Sequence, residues 1–314
     1  MVKVVVAGPR ETGNRCQEAW SEVKAAEIVG YADSLAVLRE LLQEKEVDVV
    51  DILSSVEASA EWIALAAKEK KHIICGAGGQ LGHVALRKAK ELCKVREVQL
   101  VIGSSLRFSP EYVQARDQVR QGAIGKPGVI RVRRSAPAPE AGSTKGCIFH
   151  ELGVAEFDWL RWTFGDVVRV MARRVKHTDD SGQELEYALV MLRMEDGTIA
   201  HVELSWAEDA ERAAFEITGD AGMIQHDSHD SQPILWQTNK RLEQKVPCRE
   251  SFAHLAQMER ERSFREHVVS CLSKHEPLAI SPEDILQAQK IAQATRQSAE
   301  SGQPVQLMDG GDSL

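Results

Sequence analysis

The opening residues constrain this chain more than any later stretch. Residues 2–7 (VKVVVA) form a nearly continuous β-branched run that Gly8 ends. A strand apolar at almost every position is buried on both faces, which happens in parallel sheets covered by helices. The pattern then repeats: a helix around Arg15 to Ala25, a strand in EIVGYA ending at Asp33, and a helix over Ser34 to Lys45 (SLAVLRELLQEK). VDVVDIL reads as a third strand, residues 58–70 as a helix, HIIC as a strand, residues 81–96 as a helix and VQLVIG as a strand. This alternation predicts an α/β protein that opens with a Rossmann-type, doubly wound parallel sheet.

Beyond Gly103 the pattern changes. SLRFSPEYVQARDQVRQGAIG reads as a helix closing on glycine, GVIRVRRSA as a strand, APAPEAGSTKG as a loop and Glu151 to Phe164 as a helix. Strands follow at VVRVMARRV, EYALVMLRM, GTIAHVELSW and AFEITG, with turn signals such as EDGT and GDAG between them, so a large open mixed or antiparallel sheet is expected. The tail returns to helix at Phe264 to Lys274 and at Ser281 to Glu300, where Ser281 is placed to cap and Pro282 to fill the first turn. With 314 residues, longer than one core usually serves, the chain divides into an expected Rossmann-like domain (1–104) and an α/β substrate and oligomerisation domain (105–314), whose last helix (281–300) packs back on the first.

Composition excludes several classes. No apolar run is long enough to cross a bilayer, and the amino terminus carries no leader-like segment, so no membrane partner and a cytoplasmic location are expected. A net charge of -8 opposes a nucleic-acid surface; the RVRR cluster at 131–134 reads as a solvated strand face. Six cysteines lack any CxxC spacing and read as free thiols. The run His226-Asp227-Ser228-His229-Asp230 matches no metal motif and reads as a polar surface loop, so no metal is expected.

In a dinucleotide fold three glycines after the first strand make the tight turn, admit the pyrophosphate and pack helix on strand. Here the loop is Gly8-Pro9-Arg10-Glu11-Thr12-Gly13, with Arg10 at the middle glycine's place. Its guanidinium can obstruct the diphosphate or bind a phosphate as a planar fork of donors. Asp33, 20 residues beyond Gly13, ends the second strand, where a carboxylate either accepts from ribose hydroxyls or caps the next helix. HIICGAGGQ (72–80) puts a glycine-rich turn after the fourth strand, where Gly76 and Gly78 allow backbone to approach a ligand.

Several stretches resemble the Gfo/Idh/MocA family, the relatives of glucose-fructose oxidoreductase and inositol dehydrogenase. VDVVDILSS resembles its strand on the nicotinamide side, RFSPEYVQARDQVRQGAIGKPGVIRV its domain-crossing segment, GCIFHELGVAEFDWLRWTFGD its catalytic helix and EPLAISPEDILQAQKIAQATRQSAESGQPVQL its last helix. The resemblance implies an NAD(P)-dependent oxidoreductase acting on a sugar, cyclitol or related polyol, a small-molecule ligand, and a homo-oligomer (dimer or tetramer) supported by the open sheet. It also exposes departures. The family's Glu-Lys-Pro stands here as Gly76-Ala77-Gly78, and its Asp-x-Gly-x-His as Glu151-Leu152-Gly153-Val154-Ala155, so the lysine and histidine that move the proton are both alanine. General acid–base assistance is worth roughly 100- to 10,000-fold in rate, so other residues must substitute if turnover survives. Glu151, Asp158 and His150 are the candidate catalytic groups, with a cleft position or a structural hydrogen bond both open to Asp158; Lys145 lies in the preceding loop. Gly8, Arg10, Gly13, Asp33, Ser54, Gly76 and Gly78 are the candidate cofactor contacts. Ser54 and Ser55 stand where the family tends to have threonine-proline, and Arg107, Phe108 and Pro110 match family positions that serve domain-junction packing or substrate contact. The stretch from Gly13 to Val47 is about one helix and strand shorter than the family pattern, which implies a trimmed Rossmann half. The competing reading is a non-catalytic member that binds a ligand or a partner subunit.

Overall fold

The computed structural model describes residues 1–8, 10–53, 56–76, 81–103, 105–139, 146–179, 182–229, 248–274 and 276–307, with the side chains of 10–15, 56–58, 105 and 248–257 outside that description. The expectations for Ser54, Ala77, Gly78, Lys145, the Arg10 side chain and Asp230 therefore lie outside the described residues.

The amino-terminal half alternates as expected: β1 (Val2–Ala7), α1 (Arg10–Ser21), β2 (Ala26–Ala32), α2 (Leu35–Glu44), β3 (Val49–Ile52), α3 (Val56–Lys68), β4 (His72–Cys75), α4 (His83–Arg96) and β5 (Leu100–Ile102). The five strands are parallel, in the order β2-β1-β3-β4-β5. β3 and β5 are buried at every residue, the burial their apolar runs foretell. β2, by contrast, is buried only at Ala32 and forms the sheet edge, with no further described strand beyond it.

The second half holds a 3-10 turn (Ser105–Phe108), α5 (Pro110–Arg120), β6 (Pro127–Ser135), α6 (Ile148–Glu151), α7 (Gly153–Phe164), β7 (Val167–Thr178), β8 (Glu184–Met194), β9 (Ile199–Ser205), β10 (Arg212–Gly219), β11 (Met223–Asp227), α8 (Cys248–Lys274), α9 (Pro282–Ser301) and β12 (Val305–Gln306). Its seven-stranded sheet runs β11-β10-β6-β9-β8-β7-β12, with β6 and β9 the parallel pair in an otherwise antiparallel ladder. Strict alternation along β8 buries Ala188, Val190 and Leu192 under the helices and turns Tyr187, Leu189 and Met191 outward. α9 packs on β7 and α7 and also on α4 and β5.

Four boundaries differ from the sequence reading. α1 begins at Arg10, not Arg15, so Gly13 lies inside the helix. The segment from Ser105 splits at Ser109, because the residue before a proline is pushed out of the α region, and Ser109 has φ -83 and ψ 120. The helix assigned to Glu151–Phe164 is two helices, parted at Leu152. α8 starts at Cys248 rather than near Phe264, because its charged first half carries no apolar stripe although Glu, Arg, Ala and Met are strong helix formers.

Candidate functional site

In an open parallel sheet a ligand crevice forms at the carboxyl ends of the strands where the strand order reverses, because the loops there diverge. Here the reversal falls at β1, whose neighbours are β2 on one side and β3 on the other. Gly8 leaves β1 with φ 148, a conformation side chains other than glycine rarely adopt, and its N–H donates to Ala32 O at 2.8 Å. On the other side of β1 the Leu53 N–H donates to Ala7 O at 2.6 Å, extending the ladder to β3. Asp33 lies exposed at the end of β2. The helix that follows is capped by Ser34, whose hydroxyl accepts from Val37 N at 3.4 Å, so the capping role proposed for Asp33 belongs to its neighbour.

The glycine-rich turn opens from β4 with an exposed Gly76, next to Gly103 at the end of β5. Past the turn, the Leu81 carbonyl accepts a 2.6 Å bond from Nε2 of Gln289, a buried residue on α9. This bond ties the turn to the last helix. His150 sits half-buried on α6; burial lowers its pKa first, and the charges of Arg296 and His83 lower it further. Glu151 is exposed and its Oε1 accepts from Gly146 N at 2.8 Å; a Cβ added at 146 would lie 2.0 Å from that oxygen and push the carboxylate aside.

Seven residues from Glu151, Asp158 goes elsewhere. The break at Leu152 means the two are not two turns apart on one helix, so the shared cleft face expected of them does not form. Asp158 is fully buried and takes both ends of Arg107: Nε at 2.9 Å to Oδ2 and NH2 at 2.6 Å to Oδ1. Arg107 also donates to Ala279 O at 2.7 Å, lies 3.2 Å from Asp284 and stacks over Trp162. The fork therefore joins the 3-10 turn after the parallel sheet to α7 and to the start of α9. Phe108 packs edge-on against Phe264 and beside His267 at the same junction.

Two groups that the sequence reading passed over stand out. Asp51, buried on β3, receives Trp20 Nε1 at 2.8 Å, Cys16 Sγ at 3.1 Å, and Arg265 Nε at 3.2 Å and NH2 at 3.1 Å. The lone acid within VDVVDIL was the signal, because a charge in a buried strand needs a partner. Glu156 is fully buried on α7, with Tyr112 OH 3.5 Å from Oε1, and burial pushes its pKa up to about 7 despite Arg134 and Arg260. Elsewhere the RVRR arginines each meet an acid: Arg131 with Glu216, Arg133 with Glu208 at 2.8 Å, and Arg134 with Glu211 at 3.3 Å. Asp227 is held by Arg212, and His226 packs against Phe215. Among the described residues no three His, Cys, Asp or Glu side chains gather as a metal site, and no helix is long and apolar enough to cross a membrane.

Fold and crevice together define an α/β protein with a dinucleotide-type parallel sheet joined to an open mixed sheet. A family model described as the GFO/IDH/MocA C-terminal domain matches residues 112–225. An uncharacterized oxidoreductase, YrbE, of Bacillus subtilis is 26% identical over 92% of this chain and 89% of its own length, and the myo-inositol 2-dehydrogenase of Thermotoga maritima is 27% identical over 85% and 82%. Among solved structures, scyllo-inositol dehydrogenase from Lactobacillus casei with bound NAD(H) and scyllo-inositol superposes with TM-score 0.74 at 20% identity, covering 98% of this chain and 99% of that one. Residues 112–225 thus match the family's C-terminal domain, and most of the chain is similar to oxidoreductases of the inositol dehydrogenase kind.

Proposed function

We propose that this protein is an NAD(P)-dependent oxidoreductase of a sugar, cyclitol or related polyol, with proton-transfer groups placed differently from those of its family. The observation that carries this reading is the crevice at the β1/β3 strand-order reversal, with Gly8 at φ 148 and Asp33 exposed at the end of β2. In it Gly8, Arg10, Gly13 and Asp33 hold the dinucleotide: backbone and guanidinium donors meet the diphosphate, and the Asp33 carboxylate accepts from the ribose. Ser54, Gly76 and Gly78 border the nicotinamide end. Held there, the dinucleotide would supply the hydride acceptor for the carbon that bears the substrate hydroxyl. His150, whose pKa is lowered by burial and by neighbouring charge, takes the proton, and Glu151 accepts from the Gly146 N–H. Asp158 serves as a positioning group, through Arg107.

The outward face of the mixed sheet supports a homo-oligomer. Tyr187, Leu189, Met191 and Ile199 stand exposed there beside Arg173, Glu203 and His201, a mixed apolar and charged surface that a second copy can cover.

The competing reading, a non-catalytic ligand-binding or partner subunit, is favoured by one feature: alanine at both 77 and 155 removes the family's proton relay. Titration of the protein with NADH and NADPH, followed by nicotinamide fluorescence, separates the two. Micromolar binding with polyol-dependent reduction of NAD(P) is the expected result. No binding at millimolar cofactor removes the oxidoreductase reading, and binding without turnover on any polyol leaves the non-catalytic one.

A further inference from the structure

One residue of the connector between α8 and α9 is held from both sides. Ala279 gives its N–H to Nε2 of His267 on α8 at 2.9 Å, and its carbonyl accepts from Arg107 on the 3-10 turn at 2.7 Å. His267 is half-buried, and its ring lies 5.3 Å from that of Phe108, which also meets Phe264. One turn further along the same face of α8, the Cys271 sulfur lies 3.4 Å from Nε2 and its thiol donates to Pro277 O at 3.5 Å. The far end of the connector is set by the Ser281–Asp284 capping box, with Asp284 3.2 Å from Arg107.

The imidazole makes the first of these bonds conditional. A ring nitrogen that accepts an amide N–H must carry a lone pair, so the contact exists only with a neutral ring that keeps its proton on the other nitrogen. Turning the ring over changes nothing, since the Ala279 N–H still needs an unprotonated nitrogen. Protonation sets N–H against N–H across 2.9 Å, and ring and amide must part. A second partner is at hand, because the Cys271 sulfur 3.4 Å away can accept from Nε2–H. The charged and titratable groups around the connector are Arg107 from the 3-10 turn, Asp284 from α9, Cys271 from α8 and Glu276 from the connector itself. Burial lowers the proton affinity of His267, and Glu276 opposes it. The fork of Arg107 on Asp158 does not involve the connector, so freeing Ala279 leaves the 3-10 turn fastened to α7.

We propose that the contact between His267 and Ala279 is a proton-operated latch on the α8–α9 connector, closed while the imidazole is neutral and open once it is protonated and turned to Cys271. Opening takes the Ala279 carbonyl off Arg107 as well, so a proton taken up on α8 loosens the seam between the 3-10 turn and the start of α9. Because burial lowers the pKa of the folded ring below the ordinary value of 6.5, the latch is closed above that value and opens only as pH falls beneath it. No step requires a cofactor or a substrate, so the latch stands apart from the oxidoreductase reading.

The test is amide hydrogen exchange, read by NMR on the full-length protein at pH 7.5 and pH 5.0 and corrected for the intrinsic effect of pH on exchange. The Ala279 amide should be protected at pH 7.5 and exchange roughly tenfold faster, after correction, at pH 5.0. The Gly302 amide, bonded to Ser298 O at 2.9 Å at the other end of α9, should keep its protection. In the unaltered protein the Ala279 amide shift should titrate with the same midpoint as the His267 C2–H resonance, a comparison that needs no variant. His267→Gln, whose amide oxygen accepts an N–H at any pH, should keep Ala279 protected at both values, and His267→Leu, which offers no acceptor, should leave it unprotected at both. Circular dichroism checks that each variant is folded. An Ala279 amide unprotected at pH 7.5 or still protected at pH 5.0, an equal loss at Gly302, or a midpoint apart from that of His267 overturns the proposal. So does a glutamine variant whose protection at Ala279 falls with pH as the unaltered protein's does.

Discussion

Replacement of Arg265 by methionine should be among the most destabilising single changes available to this chain. The guanidinium on α8 is 3% exposed and Asp51 on β3 is 0% exposed, so both charges are desolvated and each depends on the other. In Arg265→Met the aspartate keeps the Trp20 N–H at 2.8 Å and the weak Cys16 thiol donor but loses both guanidinium bonds. Removal of one partner from a buried pair costs about 3–5 kcal/mol, a large share of the roughly 5–15 kcal/mol that holds a typical protein together. Asp51→Asn should cost less, about 1–3 kcal/mol, because the amide oxygen still accepts from Trp20 and Arg265 retains the Glu261 carboxylate. The double variant Asp51→Asn/Arg265→Met removes both charges, so it should be less destabilised than the two single losses added together, with a coupling of about 2 kcal/mol. Urea unfolding followed by far-ultraviolet circular dichroism, run on all four proteins, measures the cycle. Arg265→Met costing under about 1 kcal/mol at unchanged denaturant slope, or additive losses in the double variant, would refute the claim that this ion pair fastens α8 to the parallel sheet.

Two further outcomes follow from buried groups and caps. Glu156 has a pKa of about 7 in the fold against 4.5 as a free side chain; between those values the unfolded chain gives up its proton while the folded chain keeps it, so stability falls by about 3 kcal/mol as pH rises from 4.5 to 7. Glu156→Gln should flatten that slope, which urea midpoints at pH 5 and pH 8 for both proteins would detect. Ser281 accepts from Asp284 N at 3.2 Å while the Asp284 carboxylate accepts from Ser281 N at 2.8 Å, so Ser281→Ala should cost about 1 kcal/mol, read as a lowered thermal midpoint.

The parallel half of the fold was legible because its strands are buried on both faces, and a continuous apolar run such as VKVVVA has few other places to go. The mixed sheet was legible for the complementary reason: one face meets helices and the other does not, so EYALVMLRM alternates. Sequence patterns failed where stability comes from partners far along the chain. α8 shows no stripe in its first half, and what fastens it is Arg265 reaching Asp51, 214 residues away, a pairing that no local window contains. The break at Leu152 was invisible for a related reason: residues on both sides of it favour helix, and the partition depends on Glu151 turning back to Gly146 while Asp158 is drawn to Arg107.

That partition also decides which candidate groups remain for chemistry. The sequence offered Glu151, Asp158 and His150 as stand-ins for the lysine and histidine of the resemblance, with Glu151 and Asp158 on one helix and His150 just before it. Asp158 is saturated by a bidentate guanidinium that also holds Ala279 and Asp284, so drawing it into proton transfer would break the knot joining three segments. Glu151 spends one oxygen on the Gly146 amide. His150 differs from both: its ring is half-buried, and burial lowers its pKa below the ordinary imidazole value. Of the three candidates, His150 is therefore the one whose use in proton transfer breaks none of these contacts.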